Sequence, residues 1–154
     1  MKLIAHRGLM RGPNAELENN PVQIVAAIMQ GFDVEIDVRI KDHQFYLGHD
    51  QATYEISHAY LCNPSFWIHA KDHAAAEQLS HMRSQGADIN FFWHQSDDRT
   101  LTSHGYWWTQ PGKPLTSQSI AVMPETQMDV DQLSSWSTTI SCAGICSDYV
   151  GIIK

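Results

Sequence analysis

Between Phe32 and Lys41 the chain alternates without a break, with Phe32, Val34, Ile36, Val38 and Ile40 on one side and Asp33, Glu35, Asp37, Arg39 and Lys41 on the other. Successive side chains of a strand point to opposite faces, so this segment predicts a strand with one apolar and one charged face. Upstream, Leu3-Ile4-Ala5 is a short apolar run ending at His6-Arg7-Gly8, and the Gly-, Pro- and Asn-rich stretch 8–14 reads as a loop. Asn20 followed by Pro21 is a helix start, Val22, Val25, Ile28 and Met29 keep helical spacing, and Gly31 supplies the stop. After a polar turn over 41–44, Phe45-Tyr46-Leu47 predicts a short return strand ending at Gly48-His49-Asp50.

The second half repeats the strand-then-helix order. Phe66 to Lys71 is a strand, Asp72 caps a helix carrying Ala75, Leu79 and Met82, and Gly86 ends it. Ile89 to Trp93 is another apolar run, ending at His94. From Gln95 to Ser119 the chain is polar and aromatic, with few helical signals. Ile120 to Met123 is strand-like, Val130, Leu133 and Trp136 suit a short helix, and Ile140 to Cys146 leads to Ser147-Asp148-Tyr149. This order implies an α/β domain with a mainly parallel sheet and helices packed on it. No repeat or linker divides residues 1–154, so one domain is expected.

Composition narrows the function. A chain of 154 residues with 43% hydrophobic residues can bury roughly 70% of its unfolded surface, enough for a core without disulfides. Ten Lys+Arg against 17 Asp+Glu give a net charge of −7, which argues against nucleic acid or an anionic membrane as partner. There is no apolar leader after Met1 and no run near the ~18 apolar residues of a spanning helix, so a cytoplasmic protein without membrane insertion is expected. Cys62, Cys142 and Cys146 are odd in number and lack Cys-x-x-Cys spacing, and read as buried, reduced thiols.

Helices on one sheet face would take Val34, Ile36 and Val38, leaving Glu35, Asp37 and Arg39 pointing the other way, which in a barrel is inward. Buried carboxylates need compensation by a cation or a cationic partner. Glu35 and Asp37, two apart on one face, are hard oxygen ligands suited to Mg²⁺ or Ca²⁺, although a solvated antiparallel face would show the same alternation. His6 and Arg7, His49 and Asp50, and Lys71 all sit at C-terminal strand ends, where loops build active sites in α/β proteins. Two imidazoles, two carboxylates and two cations suit phosphate chemistry: cations neutralise nonbridging oxygens while imidazoles move protons.

These residues resemble the glycerophosphodiester phosphodiesterase family, on His6-Arg7-Gly8, Leu17-Glu18-Asn19-Asn20-Pro21, Glu35-Ile36-Asp37-Val38-Arg39 and Gly48-His49-Asp50, in matching order and spacing. The resemblance covers residues 1 to about 72, and Gly144-Ile145-Cys146-Ser147-Asp148-Tyr149 resembles the family's last strand. It implies a TIM-barrel-like (β/α) fold and metal-dependent hydrolysis of a small phosphodiester. It also implies an acid/base pair of His6 and His49, metal ligands Glu35 and Asp37, and a phosphate contact at Arg7. Glu18 and Asn19 match the family's site-supporting or metal-side pair, Lys71 matches the lysine of its Glu-x-Lys strand, and all three are grouped with Arg7 as phosphate- or substrate-binding residues. A catalytically weakened phosphodiester-binding module of the same fold is the alternative.

Two departures follow. The Glu of Glu-x-Lys is His69 here, so a nitrogen ligand, or Asp97, Asp98 or His94, would replace the missing oxygen donor; a purely structural His69 is the other reading. The chain is also far shorter than the ~250 residues of an eight-stranded barrel, so the barrel should be shortened or incomplete, with fewer than eight βα units. An uncovered sheet edge would favour a homo-oligomer. Tyr106, Trp107 and Trp108 either stack on substrate or, as favoured, cover the apolar gap left by absent helices. Glu125 faces either the pocket or solvent, and His43, His58, His73, His81 and His104 are expected at the surface.

Overall fold

The charged-faced segment becomes the longest strand of the fold. In the computed structural model, which describes residues 1–153, the strands are β1 (Lys2–Ala5), β2 (Asp33–Lys41), β3 (Gln44–Leu47), β4 (Tyr54–Ile56), β5 (Phe66–Ala70), β6 (Phe91–Phe92), β7 (Arg99–Leu101), β8 (Trp107–Thr109), β9 (Ser119–Val122) and β10 (Gly144–Ser147). The α-helices are α1 (Pro21–Met29), α2 (His58–Leu61), α3 (His73–Ser84) and α4 (Leu133–Ser137). Asn20 caps α1 by accepting the Val22 N–H, and Asp72 caps α3 by accepting the Ala75 N–H.

A parallel run β6-β5-β2-β1-β10-β9-β8 forms the body of one sheet. β2 serves two neighbours along one edge. Its first residues pair with β1 (Ile4 beside Asp33, Ala5 beside Val34), and its far end leaves β1 to pair antiparallel with β3 (Val38 beside Leu47). β4 extends that hairpin and β7 folds back on β8. The sheet curls until the turn after β7 meets β6: Ser103 N–H donates to Phe91 O at 2.8 Å, and the Ser103 hydroxyl accepts the Phe91 N–H at 2.9 Å. Phe92 and Trp108 stack at 4.5 Å across the same gap. Side chains and a turn, rather than a strand ladder, close that side. The result is a mixed α/β fold with a curled, incomplete barrel sheet.

The alternation of β2 sorts its two faces as expected. Val34, Ile36 and Val38 are fully buried in one cluster with Ile24 and Ala27 of α1 and Ala75 and Leu79 of α3. The opposite face looks into the curl, whose lower part is filled by Ile4, Trp67, Phe92, Trp108, Ile120, Val122 and Cys146. Tyr106 and Trp108 pack on Trp67 at 5.0 and 6.0 Å, so these aromatics fill the interior, while Trp107 stays exposed. A third cluster joins Ala121, Ile145, Leu133 and Ile153 on the outside of β9 and β10.

Several expectations need correction. Helix α1 forms where expected, with Val22 (78% exposed), Val25 and Met29 (83% exposed) facing outward and Ile24 and Ala27 carrying the contact, because the helix is seated through Ile24 against Gly8. A Cβ on Gly8 would lie 3.2 Å from Ile24 Cγ1. The run at 89–93 yields only a two-residue strand, with Trp93 exposed. The polar, aromatic stretch 95–119 holds the β7–β8 hairpin, and β4 and α2 form where the sequence shows no clear periodicity. Of the thiols only Cys146 is buried; Cys62 is exposed and Cys142 half-buried, and all three are free. No helix of the described residues is long and apolar enough to cross a membrane.

Candidate functional site

Parallel pairing of β2 with β5 sets Glu35 beside Trp67 and Asp37 beside His69. Neighbouring strands lie about 4.8 Å apart, so inward side chains at paired positions meet above the aromatic floor. One donor atom from each of Glu35, Asp37 and His69 lies within 4.8 Å of the others, and all three residues are buried. His69 Nδ1 is 3.2 Å from Asp37 Oδ1 and 3.7 Å from Glu35 Oε1. Its ring lies nearly parallel to those of Phe92 (4.9 Å, 13°) and His94 (4.7 Å, 11°), which are 6.2 Å from each other.

Asp37 is satisfied on one side only. The Asn19 side-chain carbonyl accepts the Asp37 N–H at 2.9 Å, and its amide donates to Asp37 Oδ2 at 2.9 Å. Arg7 Nε lies 3.1 Å from that same oxygen, and Arg7 Nη1 donates to Glu18 at 2.8 Å. Oδ1 is fully buried and accepts no hydrogen bond, with Lys71 Nζ at 3.7 Å. Buried carboxylate oxygens are normally paired. An orphaned one facing an imidazole nitrogen and a second carboxylate is a donor set that fits a divalent cation.

The turn after β1 supplies the rest. Arg7 adopts a left-handed conformation (φ 51°), which aims its N–H at Glu35 Oε2, 3.0 Å away. Asn19 is also left-handed (φ 56°), and its N–H donates to Arg7 O at 2.9 Å, so two strained residues lock each other. His6 Nδ1 hydrogen-bonds Asp148 Oδ1 at 2.7 Å, while Nε2 lies 3.9 Å from Glu35 Oε2. Asp148 is anchored in turn, since Glu125 Oε1 accepts both the Asp148 N–H (2.8 Å) and the Ser147 hydroxyl (2.9 Å). Glu125 thus faces inward and supports the site from behind.

Charge follows from this packing. Burial, and then the charge of Asp37, push Glu35 up to about 7 against the pull of His6 and Arg7. Burial also acts to raise Asp37, but His69, Arg7 and Lys71 outweigh it and hold that carboxyl well below its ordinary range. Burial takes His69 down to about 4 despite Asp37, leaving a neutral imidazole able to ligate. For His6 burial works downward, and the Asp148 hydrogen bond with the charges of Glu35 and Asp148 raise it above its ordinary value.

His49 stands apart from this cluster. Gly48 N–H donates to Asp37 O at 3.0 Å, which brings the hairpin end against the site, and Arg39 donates to the carbonyls of Gly48 and His49. Gly48 has φ 144°, and a Cβ there would fall 2.0 Å from Gln51 O, so this turn requires glycine. The His49 ring bonds Asp50 at 2.7 Å, and among the described residues it makes no ion pair with Glu35 or Asp37. It lines a polar cavity of about 240 Å³ with Glu18, Thr53 and Tyr54. Glu18, through Arg7, joins that cavity to Asp37.

Among the replacement ligands, Asp97 and Asp98 are exposed, with Asp98 paired to Lys113, and His94 stacks on His69 instead of joining the donor set. His43, His58, His73, His81 and His104 are exposed. Sequence reasoning missed Asp148 as the partner of His6. Its only signal was its place as a polar residue just past an apolar strand, the same signal that marked His6. No family model matches the chain, nor does any curated protein or solved structure.

Proposed function

We propose that the protein cleaves a small phosphodiester of the glycerophosphodiester type, in a cation-dependent reaction with histidine acid/base catalysis, on a shortened TIM-type (β/α) barrel. The observation that carries this reading is the orphaned Oδ1 of Asp37, buried beside Glu35, His69 and Lys71. Glu35, Asp37 and His69 would hold a divalent cation, which would supply neutralisation of the phosphoryl oxygens. Lys71 adds a point charge beside it, and Arg7 holds Glu35 and Asp37 in place through its backbone and side chain. His6, whose proton is favoured by Asp148, donates from Nε2 to the leaving oxygen. His49, in the adjoining cavity, takes the proton of the nucleophile. A neighbouring hydroxyl of the substrate as nucleophile would release a cyclic phosphate; water would release a linear monoester.

One observation favours a second reading, a phosphodiester-binding module without turnover: the His49 ring pairs with Asp50 and not with the acidic pair. Incubating the purified protein with glycerophosphodiesters and Mg²⁺, Ca²⁺, Mn²⁺ or chelator separates the two. Cation-dependent release of phosphomonoester or cyclic phosphate supports the enzyme. Saturable diester binding without product under every cation selects the module, and absence of both removes the two readings together. Self-association through the edges at β4 and β7 belongs to the same proposal, and a monomer by light scattering counts against it.

A further inference from the structure

We propose that His69 makes this a mixed nitrogen–oxygen site that takes a transition-metal dication, of the Mn²⁺, Fe²⁺ or Zn²⁺ kind, in preference to Mg²⁺ or Ca²⁺. The inference rests on reading Glu35 and Asp37 as cation ligands, and it adds what selects the cation.

Three features carry it. First, the register of β2 and β5 fixes His69 as the direct neighbour of Asp37, and Nδ1 is the ring atom nearest both carboxylates. At 3.2 Å that contact lacks the alignment of a hydrogen bond, which leaves Asp37 Oδ1 without a donor. A ring nitrogen and an unpaired carboxylate oxygen therefore lie side by side, with Glu35 Oε1 3.7 Å from the nitrogen, close enough to share one ion. Second, Phe92 and His94 lie beside the imidazole at 4.9 and 4.7 Å with nearly parallel rings. His94, stacked on the imidazole, is not one of the three donors, so His69 is the ring that supplies nitrogen. Third, two carboxylates are the only anionic donors in the cluster, and Arg7 Nε at 3.1 Å and Lys71 Nζ at 3.7 Å already offset the charge of Asp37. Mg²⁺ and Ca²⁺ depend on oxygen ligands and a high local negative charge, whereas imidazole nitrogen bonds Zn²⁺, Fe²⁺ and Mn²⁺ with a share of covalency. A site that trades a carboxylate for an imidazole beside two cations loses affinity for the first group more than for the second.

Chelator-stripped protein, without substrate, provides the test. Mn²⁺ titrated into it should bind at one ion per chain and show nitrogen modulation in its electron spin-echo spectrum. Calorimetry should give a Mn²⁺-over-Mg²⁺ affinity ratio that falls by roughly tenfold or more in His69→Glu, with the modulation lost. His69→Gln, a neutral replacement, serves if His69→Glu does not fold: it should lose the modulation and weaken Mn²⁺ by roughly tenfold while moving Mg²⁺ little. Asp37→Asn should abolish the signal, which excludes Mn²⁺ held by surface imidazoles. Absence of bound Mn²⁺, absence of nitrogen modulation, or an unchanged ratio in the His69 variants each overturns the inference. A nitrogen-ligated ion with no diester turnover sinks the hydrolase reading alone; Mg²⁺-dependent turnover without nitrogen ligation sinks only this one.

Discussion

His6 Nδ1 and Asp148 Oδ1 lie 2.7 Å apart although 142 residues separate them in the chain. The contact follows from the parallel pairing of the first and last strands, which sets Ala5 beside Ser147 and so places the next residue of each strand side by side. A proton on Nδ1 shared with Asp148 leaves Nε2 as the ring atom facing Glu35.

Asp148→Asn should therefore lower turnover of a phosphodiester by roughly 10²-fold with little change in KM, because the imidazole loses its orientation and its preferred proton position. The fold should persist, since the Asp148 N–H keeps its bond to Glu125. Steady-state kinetics on cation-loaded protein checks this, and unchanged kcat would remove Asp148 from the mechanism.

Asn19→Ala tests the clamp on the acidic pair. It would leave the Asp37 N–H and Oδ2 without their buried partner and put a Cβ residue with no side-chain hydrogen bond at φ 56°. Each unsatisfied buried group costs about 1–3 kcal/mol, so a stability loss of about that size or larger is expected in urea titrations. A change below about 0.5 kcal/mol would mean that Asn19 is not the support described here.

What was legible in the sequence was local. The period-two pattern of residues 32–41 fixed the strand, its faces and the inward course of Glu35 and Asp37, because burial on the helix side admits only one register. Asn20-Pro21 and Asp72 announced their helices because a capping side chain acts within three residues. The helical period of Val22, Val25 and Met29 announced α1 but not its buried side, because these residues lie on the exposed face while Ile24 and Ala27 are buried. The link between His6 and Asp148 was not legible either, since strand pairing across the whole chain leaves no mark in the spacing of either residue. The stacking of His69 against Phe92 and His94 depends likewise on β5 meeting β6.

His49→Ala should reduce turnover by roughly 10²-fold or more, the usual scale for an acid/base group. The ring is partly exposed, and its backbone carbonyl, not the side chain, receives Arg39, so thermal stability should be almost unchanged. Retained turnover would show that the cavity beside Glu18 serves binding alone and would favour the module reading.

Protonation of Glu35 gives cation binding and stability a joint pH signature. Its pKa is about 7 in the fold against an ordinary 4.5, so the folded state holds the extra proton between these values. Stability from this group is full below pH 4.5 and is lost as pH rises through 7. His69 runs the other way: at about 4 folded against 6.5 ordinary, the unfolded chain holds the extra proton, and stability falls as pH drops from 6.5 toward 4. The two slopes oppose each other between 4.5 and 6.5, so metal-free stability should be nearly flat there. A cation needs Glu35 ionised, so binding expels its proton below pH 7 and affinity climbs with pH up to that point. The rise in melting temperature on adding Mn²⁺ should therefore be larger at about pH 8 than at about pH 5.5. Glu35→Gln should remove that difference, raise metal-free stability at about pH 8, and uncover the His69 slope on the acid side. A Mn²⁺ stabilisation that is the same at both pH values would mean that Glu35 is not a ligand.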